Sequence, residues 1–374
     1  MRIGIDAREI VGRQTGVGRH LSGLLAEWTA TGATRRHQFV LYAHAPIPDA
    51  PDGLVTRIVP GTSGTWWQQV QLPRAMRDDR LDLFFSPQYT APLLSTTRTA
   101  VVIYDVSFAA HPEWFRFREG LRLRWLSRTA SAHACAVITI SEFSRGEIVE
   151  HLRVPAERIH VIPPGVPVRH TNPTAAREPK VLFVGSIFNR RHVPDLIAAV
   201  APLVRLHPAA SLDIVGDNRS YPHEDVMAAI AREQLGGQIT WHRYATDPQL
   251  DDLYSRARAF VFLSDYEGLG LTPLEALTAG VPPVLFDTPV ARESCGDAAL
   301  YVGRDRPQDV RRAVEQVLFD DELRSRLLAA APEVLARYSW ARAARETLAV
   351  LESCSVRLHA DVRLKPDATY HGRS

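Results

Sequence analysis

Residues 163–179, PPGVPVRHTNPTAAREP, hold five prolines in seventeen positions and no hydrophobic period. Proline lacks an amide donor and pushes the residue before it out of the helical region, so such a run builds neither a helix nor a central strand. It reads as an interdomain linker. Upstream, short apolar runs at 2–6, 39–42, 83–85, 100–103, 136–140 and 159–162 alternate with amphipathic segments such as 18–31 and 117–133. Downstream the rhythm restarts, with runs at 181–184, 212–215, 239–241, 260–263 and 283–286. This alternation predicts an α/β protein of two doubly wound, Rossmann-like domains facing a cleft. Ligands of such sheets bind outside the carboxyl ends of the strands. The expected bounds are 1–168 for the first domain, 169–179 for the linker and 180–338 for the second. A helix over 339–356 is expected to pack back across the domains. The polar end, 357–374, is expected to be disordered.

A chain of 374 residues with 45% hydrophobic and 23% charged content suits two soluble domains of ordinary size. The net charge of +2 argues against a dedicated nucleic-acid binder. Cys135, Cys295 and Cys354 form no CxxC and cannot pair evenly, which points to a reducing cytosol and away from structural zinc. The opening MRIGIDAR reads as a first strand rather than a signal peptide. No run approaches the roughly 20 apolar residues of a membrane span. A cytoplasmic protein is expected.

Three loops could carry chemistry. TGVGRH, residues 15–20, offers bare amides at a helix start, which attract anions. Its glycines lie ten residues beyond Asp6, and Leu21 stands where a third dinucleotide-type glycine would be, so a nicotinamide site is disfavoured. NRRH, residues 189–192, follows a strand ending in VGS; the forks of Arg190 and Arg191 match phosphate oxygens, although a solvated surface pair also accounts for them. SDYEGLGLTPLEALTAGVP, residues 264–282, places Glu267 in a glycine loop and Glu275 on the following helix. Thr272-Pro273-Leu274-Glu275 has the form of a capping box, so Glu275 has a structural explanation. Glu267 has none, and a ligand rich in hydroxyls best explains it.

In these residues the chain resembles the retaining glycosyltransferases of family 4, mostly bacterial and of GT-B fold. The similarity runs through GIDAREIVGRQTGVGRHLSGL, DVSFAAHPEWF, VITISEFSRGEI and the spacing of Glu267 and Glu275, in the family's order. The resemblance implies that Glu267 contacts hydroxyls of the transferred sugar and Glu275 the nucleotide ribose. The amides of Gly268, Leu269, Gly270 and Leu271 would surround the donor. Arg190 and Arg191 would flank the donor diphosphate, with Gly16 and Gly18 letting the first-domain loop approach it. No acidic cluster suited to a divalent cation stands out, so no metal or other cofactor is expected and the arginines would take its place. The donor is expected to be a nucleotide sugar, with the subgroup leaning toward mannosyl transfer from GDP-mannose. A glycan or lipid-linked acceptor of cell-surface polysaccharide synthesis would receive it.

Two departures matter. Many members of that family carry a histidine where this chain has Tyr104, followed by Asp105, so either Tyr104 or His111 substitutes on the acceptor side or the acceptor chemistry differs. Arg191 replaces a lysine, which keeps the charge and alters the geometry. Residues 113–128, EWFRFREGLRLRWLSR, could lie on an anionic membrane surface or be an ordinary half-buried helix. WWQQ, 66–69, could be an acceptor platform or core. The rival functions are a UDP-sugar transferase, of glucose or N-acetylglucosamine, and a non-enzymatic two-domain sugar-binding protein.

Overall fold

The computed structural model describes residues 1–12, 15–48, 50–171, 176–304 and 306–363. The first half forms β1 (Arg2–Asp6), β2 (Gln38–Ala43), β3 (Val55–Ile58), β4 (Leu83–Ser86), β5 (Thr99–Val102), β6 (Ala136–Thr139) and β7 (Ile159–Val161). They make one parallel sheet in the order β3-β2-β1-β4-β5-β6-β7. The second half forms β8 (Lys180–Val184), β9 (Ser211–Val215), β10 (Ile239–His242), β11 (Ala259–Phe262), β12 (Pro283–Phe286) and β13 (Leu300–Val302). Their order is β10-β9-β8-β11-β12-β13, again all parallel.

Central strands such as β4, β6, β8, β11 and β12 are buried along their whole length. Helices cover both faces of such a sheet, so its inner strands read as continuous apolar runs. That is why they are visible in the sequence. β3 and β13 were not expected. β3 is an exposed edge strand carrying Arg57, and β13 is a three-residue edge strand, so neither shows a buried run. The strand order reverses between β1 and β4 and again between β8 and β11, and a ligand crevice opens at such switch points.

The helix Trp340–Arg363 returns to the first domain, packing on the helix Gly16–Ala30 and on β4 and β6. A Cβ on Gly23 or Gly165 would fall 2.5 or 2.2 Å from the Trp340 ring, so both glycines form the seat of that indole. The helix outlasts its expected end at residue 356 and continues to Arg363, which corrects the expected start of the tail. Residues 364–374 of that tail, and 172–175 of the linker, lie outside the described residues. The cysteine reading is corrected too: Cys135 and Cys354 form a disulfide across 219 residues, with Cα atoms 5.8 Å apart, while Cys295 is free and buried. A pair so distant in sequence leaves no spacing pattern to read, and the thiol count no longer argues for a reducing compartment.

Candidate active site

The loops after β8 and β11 build one charged centre. Gly185 and Gly216 end β8 and β9 at φ near 150°, and a Cβ on Gly216 would lie 1.9 Å from the Gly185 carbonyl. The two turns therefore stack as only glycines allow. A single helical turn, Asn189–Arg191, follows and ends at His192 in the left-handed region. The imidazole pays for that strain by pairing with Asp265 through Nε2 at 2.7 Å and with Asp195 through Nδ1 at 3.0 Å. The bond to Asp265, ahead of the opposing effect of burial, holds the His192 pKa above its ordinary value. In this way the arginine turn is tied to the loop that carries Glu267.

Arg191 meets Glu267 with both arms of its fork, Nε to Oε1 at 2.8 Å and Nη2 to Oε2 at 3.0 Å. Its third nitrogen, Nη1, donates to the Ser186 carbonyl at 2.7 Å. Ser264 adds a hydrogen bond to Glu267 Oε1 at 2.8 Å. Burial pushes the Glu267 carboxyl up, but Arg191, Arg190 and the two hydrogen-bond donors outweigh it and hold the pKa below the usual range. Arg190 donates from Nε to the Tyr266 carbonyl at 3.2 Å and lies over the rings of Phe188 and Trp114, at 4.3 and 5.7 Å. Thus Arg191 is committed to Glu267, and Arg190 is the cation of the pair with terminal nitrogens to offer.

Glu275 is buried on the helix Leu271–Thr278, and its surroundings correct the capping-box reading. The helix begins one residue before Thr272, with left-handed Gly270 as the N-cap and no capping side chain. The Glu275 carboxylate is instead ion-paired with Arg169 of the linker, which donates from Nε at 3.2 Å and also from Nη2. Arg19, from the first domain, reaches the other oxygen at 3.5 Å. Arg169 also lies within 3.5 Å of Asp247 and Asp251. Neither arginine had been singled out: their partner is more than a hundred residues away, although TGVGRH does contain Arg19.

The first domain closes on this loop at Gly268. Its carbonyl accepts hydrogen bonds from the hydroxyls of Ser141 and Ser144, and a Cβ there would lie 2.2 Å from the Tyr104 carbonyl. Gly268 is thus explained by the domain contact before any donor is invoked. Leu269 is buried, and Leu271 opens the helix. Gly16 starts the helix Gly16–Ala30 with open space around its Cβ position, so packing does not demand a glycine there; Gly18, two residues on, is buried.

The acceptor-side residues separate. Tyr104 turns its hydroxyl inward, 2.9 Å from Nδ1 of buried His20 and 3.4 Å from the Pro87 carbonyl. Burial lowers the His20 pKa to about 4, so its ring is neutral, and Nε2 has no hydrogen-bond partner among the described residues. Asp105 accepts from the Ser107 amide and hydroxyl and from Tyr89 at 3.1 Å, organising the turn. His111 stacks on Trp114 at 3.9 Å and meets the edge of Tyr266 at 5.3 Å, bridging the two domains by aromatic contact. Of the tryptophan pair, Trp67 is core and donates to the Val59 carbonyl, whereas Trp66 is exposed. Among the described residues, Glu147, Glu150 and His151 on the helix Glu142–Leu152 are close enough to one another to share a cation.

This fold and site define a class. Residues 15–170 match the family model described as Glycosyltransferase Family 4, and residues 168–334 the one described as Glycosyl transferases group 1. The chain belongs to the family 4 glycosyltransferases, with the GT-B fold and mannosyltransferase-like relatives. The O-antigen chain mannosyltransferase B of Escherichia coli is 26% identical over 290 residues, 73% of this chain and 75% of that protein. The GDP-mannose:cellobiosyl-diphosphopolyprenol alpha-mannosyltransferase of Xanthomonas campestris is 28% identical over 226 residues, 58% of this chain and 57% of that one. Among solved structures, WaaG, a glycosyltransferase involved in lipopolysaccharide biosynthesis, superposes with a TM-score of 0.73 at 16% identity, covering 94% of this chain and 99% of WaaG. HepE of Anabaena, in complex with UDP and glucose, gives 0.72 at 17% identity, covering 94% and 100%.

Proposed function

We propose that this glycosyltransferase moves mannose from GDP-mannose, with retention of configuration and without a metal, to a glycan or lipid-linked acceptor of bacterial cell-surface polysaccharide. The observation that carries the reading is the Arg190, Arg191 and Glu267 centre at the switch point of the second sheet. As the glycosidic bond breaks, the departing nucleoside diphosphate gains charge, which Arg190 is placed to meet as a fixed cation. Glu267, oriented by Arg191 and Ser264, keeps lone pairs for the sugar hydroxyls. Its lowered pKa makes it a weak base, so the acceptor proton is assigned to the departing phosphate oxygen: the acceptor oxygen bonds to the anomeric carbon as that carbon releases the diphosphate. Glu275 is assigned to the ribose. The mannose preference is supported by the similarity to mannosyltransferases of Escherichia coli and Xanthomonas campestris.

Membrane contact belongs to the same proposal. On the helix Phe117–His133, Phe117, Leu121 and Trp125 are 82%, 56% and 61% exposed and recur every four residues, a ridge flanked by arginines. No helix among the described residues is long and apolar enough to cross a membrane. We place the chain at the cytoplasmic face, held peripherally by this ridge.

The test is product anomericity by NMR with chelator present, beside thermal shifts with nucleotides. The expected outcome is a retained α-mannoside formed in chelator, with GDP raising Tm more than UDP and NAD having no effect. A larger shift with UDP would promote the UDP-sugar donor. An inverted product, or activity lost to chelator and restored by a divalent ion, would overturn the mechanism.

A further inference from the structure

At the opposite end of the second sheet from the arginine turn, three guanidinium groups gather. Arg177 lies just before β8, Arg258 just before β11, and Arg324 in the first turn of the helix Asp321–Leu335. Arg177 donates from Nη1 to the Ala257 carbonyl at 2.7 Å, next to Arg258, and Arg258 is ion-paired with Asp321, three residues before Arg324. Strands β8 and β11 begin here, whereas Arg190, Arg191 and Glu267 follow their far ends. We infer that these arginines form a binding site for a phosphate dianion, either inorganic phosphate or the phosphate group of a small monoester. The inference does not use the transferase reading.

Arg324 is the residue that asks for a ligand. It is only 8% exposed, its side chain makes no hydrogen bond among the described residues, and its Nε is buried without a partner. Nε of Arg258 is buried and unpartnered in the same way. Burial, and then the neighbouring Arg258 and Arg177, lower the Arg324 pKa to about 10, with Asp321 opposing. The group is therefore still charged at neutral pH and does not escape burial by losing its proton. A buried charge without a counter-charge or hydrogen bonds is strongly unfavourable. Asp321 does not supply one, since its carboxylate is exposed and is paired with Arg258.

Charge selects a dianion. Three cations act against the single carboxylate of Asp321, so a phosphate balances them where a carboxylate ligand would fall short. Arg177 has its own structural task. It donates from Nη1 to the Tyr254 and Ala257 carbonyls and from Nη2 to that of Ala279, at the carboxyl ends of the helices Asp247–Arg256 and Leu271–Thr278. To a ligand it contributes field rather than contact. Arg258 and Arg324 contribute the donors, and guanidinium forks match phosphate oxygens. Solvent reaches the cluster beside Arg258, whose side chain is 22% exposed. A phosphate bridging these two arginines joins the start of β11 to the helix Asp321–Leu335.

The test is thermal melting and titration calorimetry of the full chain at fixed ionic strength, with inorganic phosphate, phenyl phosphate or acetate replacing chloride. Arg190→Ala serves as the parent, so that phosphate held at the donor centre does not contribute. At a hundredfold excess over its dissociation constant, a phosphate should raise the parent's midpoint by about 5–10 °C, and acetate should not. Arg324→Met and Arg258→Gln, each added to the parent, should bind phosphate at least tenfold more weakly. Arg258 is partly exposed, so its variant keeps the test open if Arg324→Met does not fold. Arg326→Ala, an exposed change on the same helix, should bind as the parent does. Inorganic phosphate binding as well as phenyl phosphate supports a site for the free ion, and tighter phenyl phosphate supports one for an organic monoester. No shift with either phosphate would overturn the inference. So would equal shifts in the parent and both site variants, which is the general effect of an excluded salt, or a shift with acetate as large as with phosphate.

Discussion

Arg191 and Glu267, 76 residues apart, are joined by two parallel hydrogen bonds of 2.8 and 3.0 Å, with side chains only 12% and 15% exposed. Bidentate pairing sets direction as well as energy, and here it fixes the Glu267 carboxylate between the loops after β8 and β11. Losing one partner leaves a poorly solvated charge, which for buried pairs costs about 3–5 kcal/mol. Arg191→Ala should therefore lower stability and transfer together, in contrast to what a surface arginine would do. A double-mutant cycle with Glu267→Gln, read by denaturant melts, should give a coupling above the roughly 0–1 kcal/mol of exposed pairs. Arg190→Ala should instead cost activity, by about 10²-fold in kcat, with Tm nearly unchanged. Additive effects at Arg191 and Glu267 would show that the pair is not a unit.

Arg169 and Glu275 form the second buried pair, and the same arithmetic applies. Arg169→Ala should cost about 3–5 kcal/mol, which for domains of this size is a midpoint lower by roughly 6 °C or more. Replacing both residues by apolar ones of similar volume should recover much of that loss, because the desolvation penalty disappears with the charges. The double variant should still fail to be stabilised by GDP. Full GDP stabilisation without Glu275 would remove it from the nucleotide site.

Much of the architecture was legible because buried parallel strands are apolar throughout, so each central strand announced itself. β3 was not, since all four of its residues are exposed at an edge. At the site, Glu267 stood out because no local structure accounts for it, whereas the arginine turn read equally as a solvated surface pair. Their partners did not stand out. The pairings of Arg191 with Glu267, Arg169 with Glu275, His20 with Tyr104 and Cys135 with Cys354 all depend on how two domains fold together. TPLE misled for a local reason: Gly270 can take a left-handed φ of 86°, so the helix starts two residues early and Thr272 is never its cap.

The neutral His20 makes a prediction about acid. Its folded pKa of about 4 lies below the ordinary 6.5, so between those values the unfolded chain binds a proton that the folded chain refuses. Stability therefore falls as pH drops from about 6.5 toward 4, and His20 has no such effect above that window. His20→Gln should melt with a shallower loss over this range, measured as Tm against pH in wild type and variant. Parallel curves would show that His20 does not set the acid response. Tyr104→Phe, which removes the ring's hydroxyl partner and leaves His20 buried, should keep the steep acid limb.

The exposed ridge of Phe117, Leu121 and Trp125 decides whether the acceptor is met at a lipid surface. Burying a large apolar side chain fully is worth about 1.5–3 kcal/mol, and a ridge lying in the headgroup region buries part of each. Three partial burials amount to a few kcal/mol, so the triple serine variant should bind vesicles on the order of 10²-fold more weakly. Its fold should hold, because these side chains already face water. The arginines Arg118, Arg124 and Arg128 add attraction to anionic lipid that salt screens within about 8–10 Å. Binding to phosphatidylglycerol vesicles should thus fall with added salt, and binding to phosphatidylcholine vesicles should be weak at any ionic strength. Sedimentation with each vesicle type, for wild type and triple variant, separates the contributions. If the wild type stays in the supernatant with both lipids, the ridge is an ordinary solvent-facing helix side and the acceptor must be delivered free of the membrane.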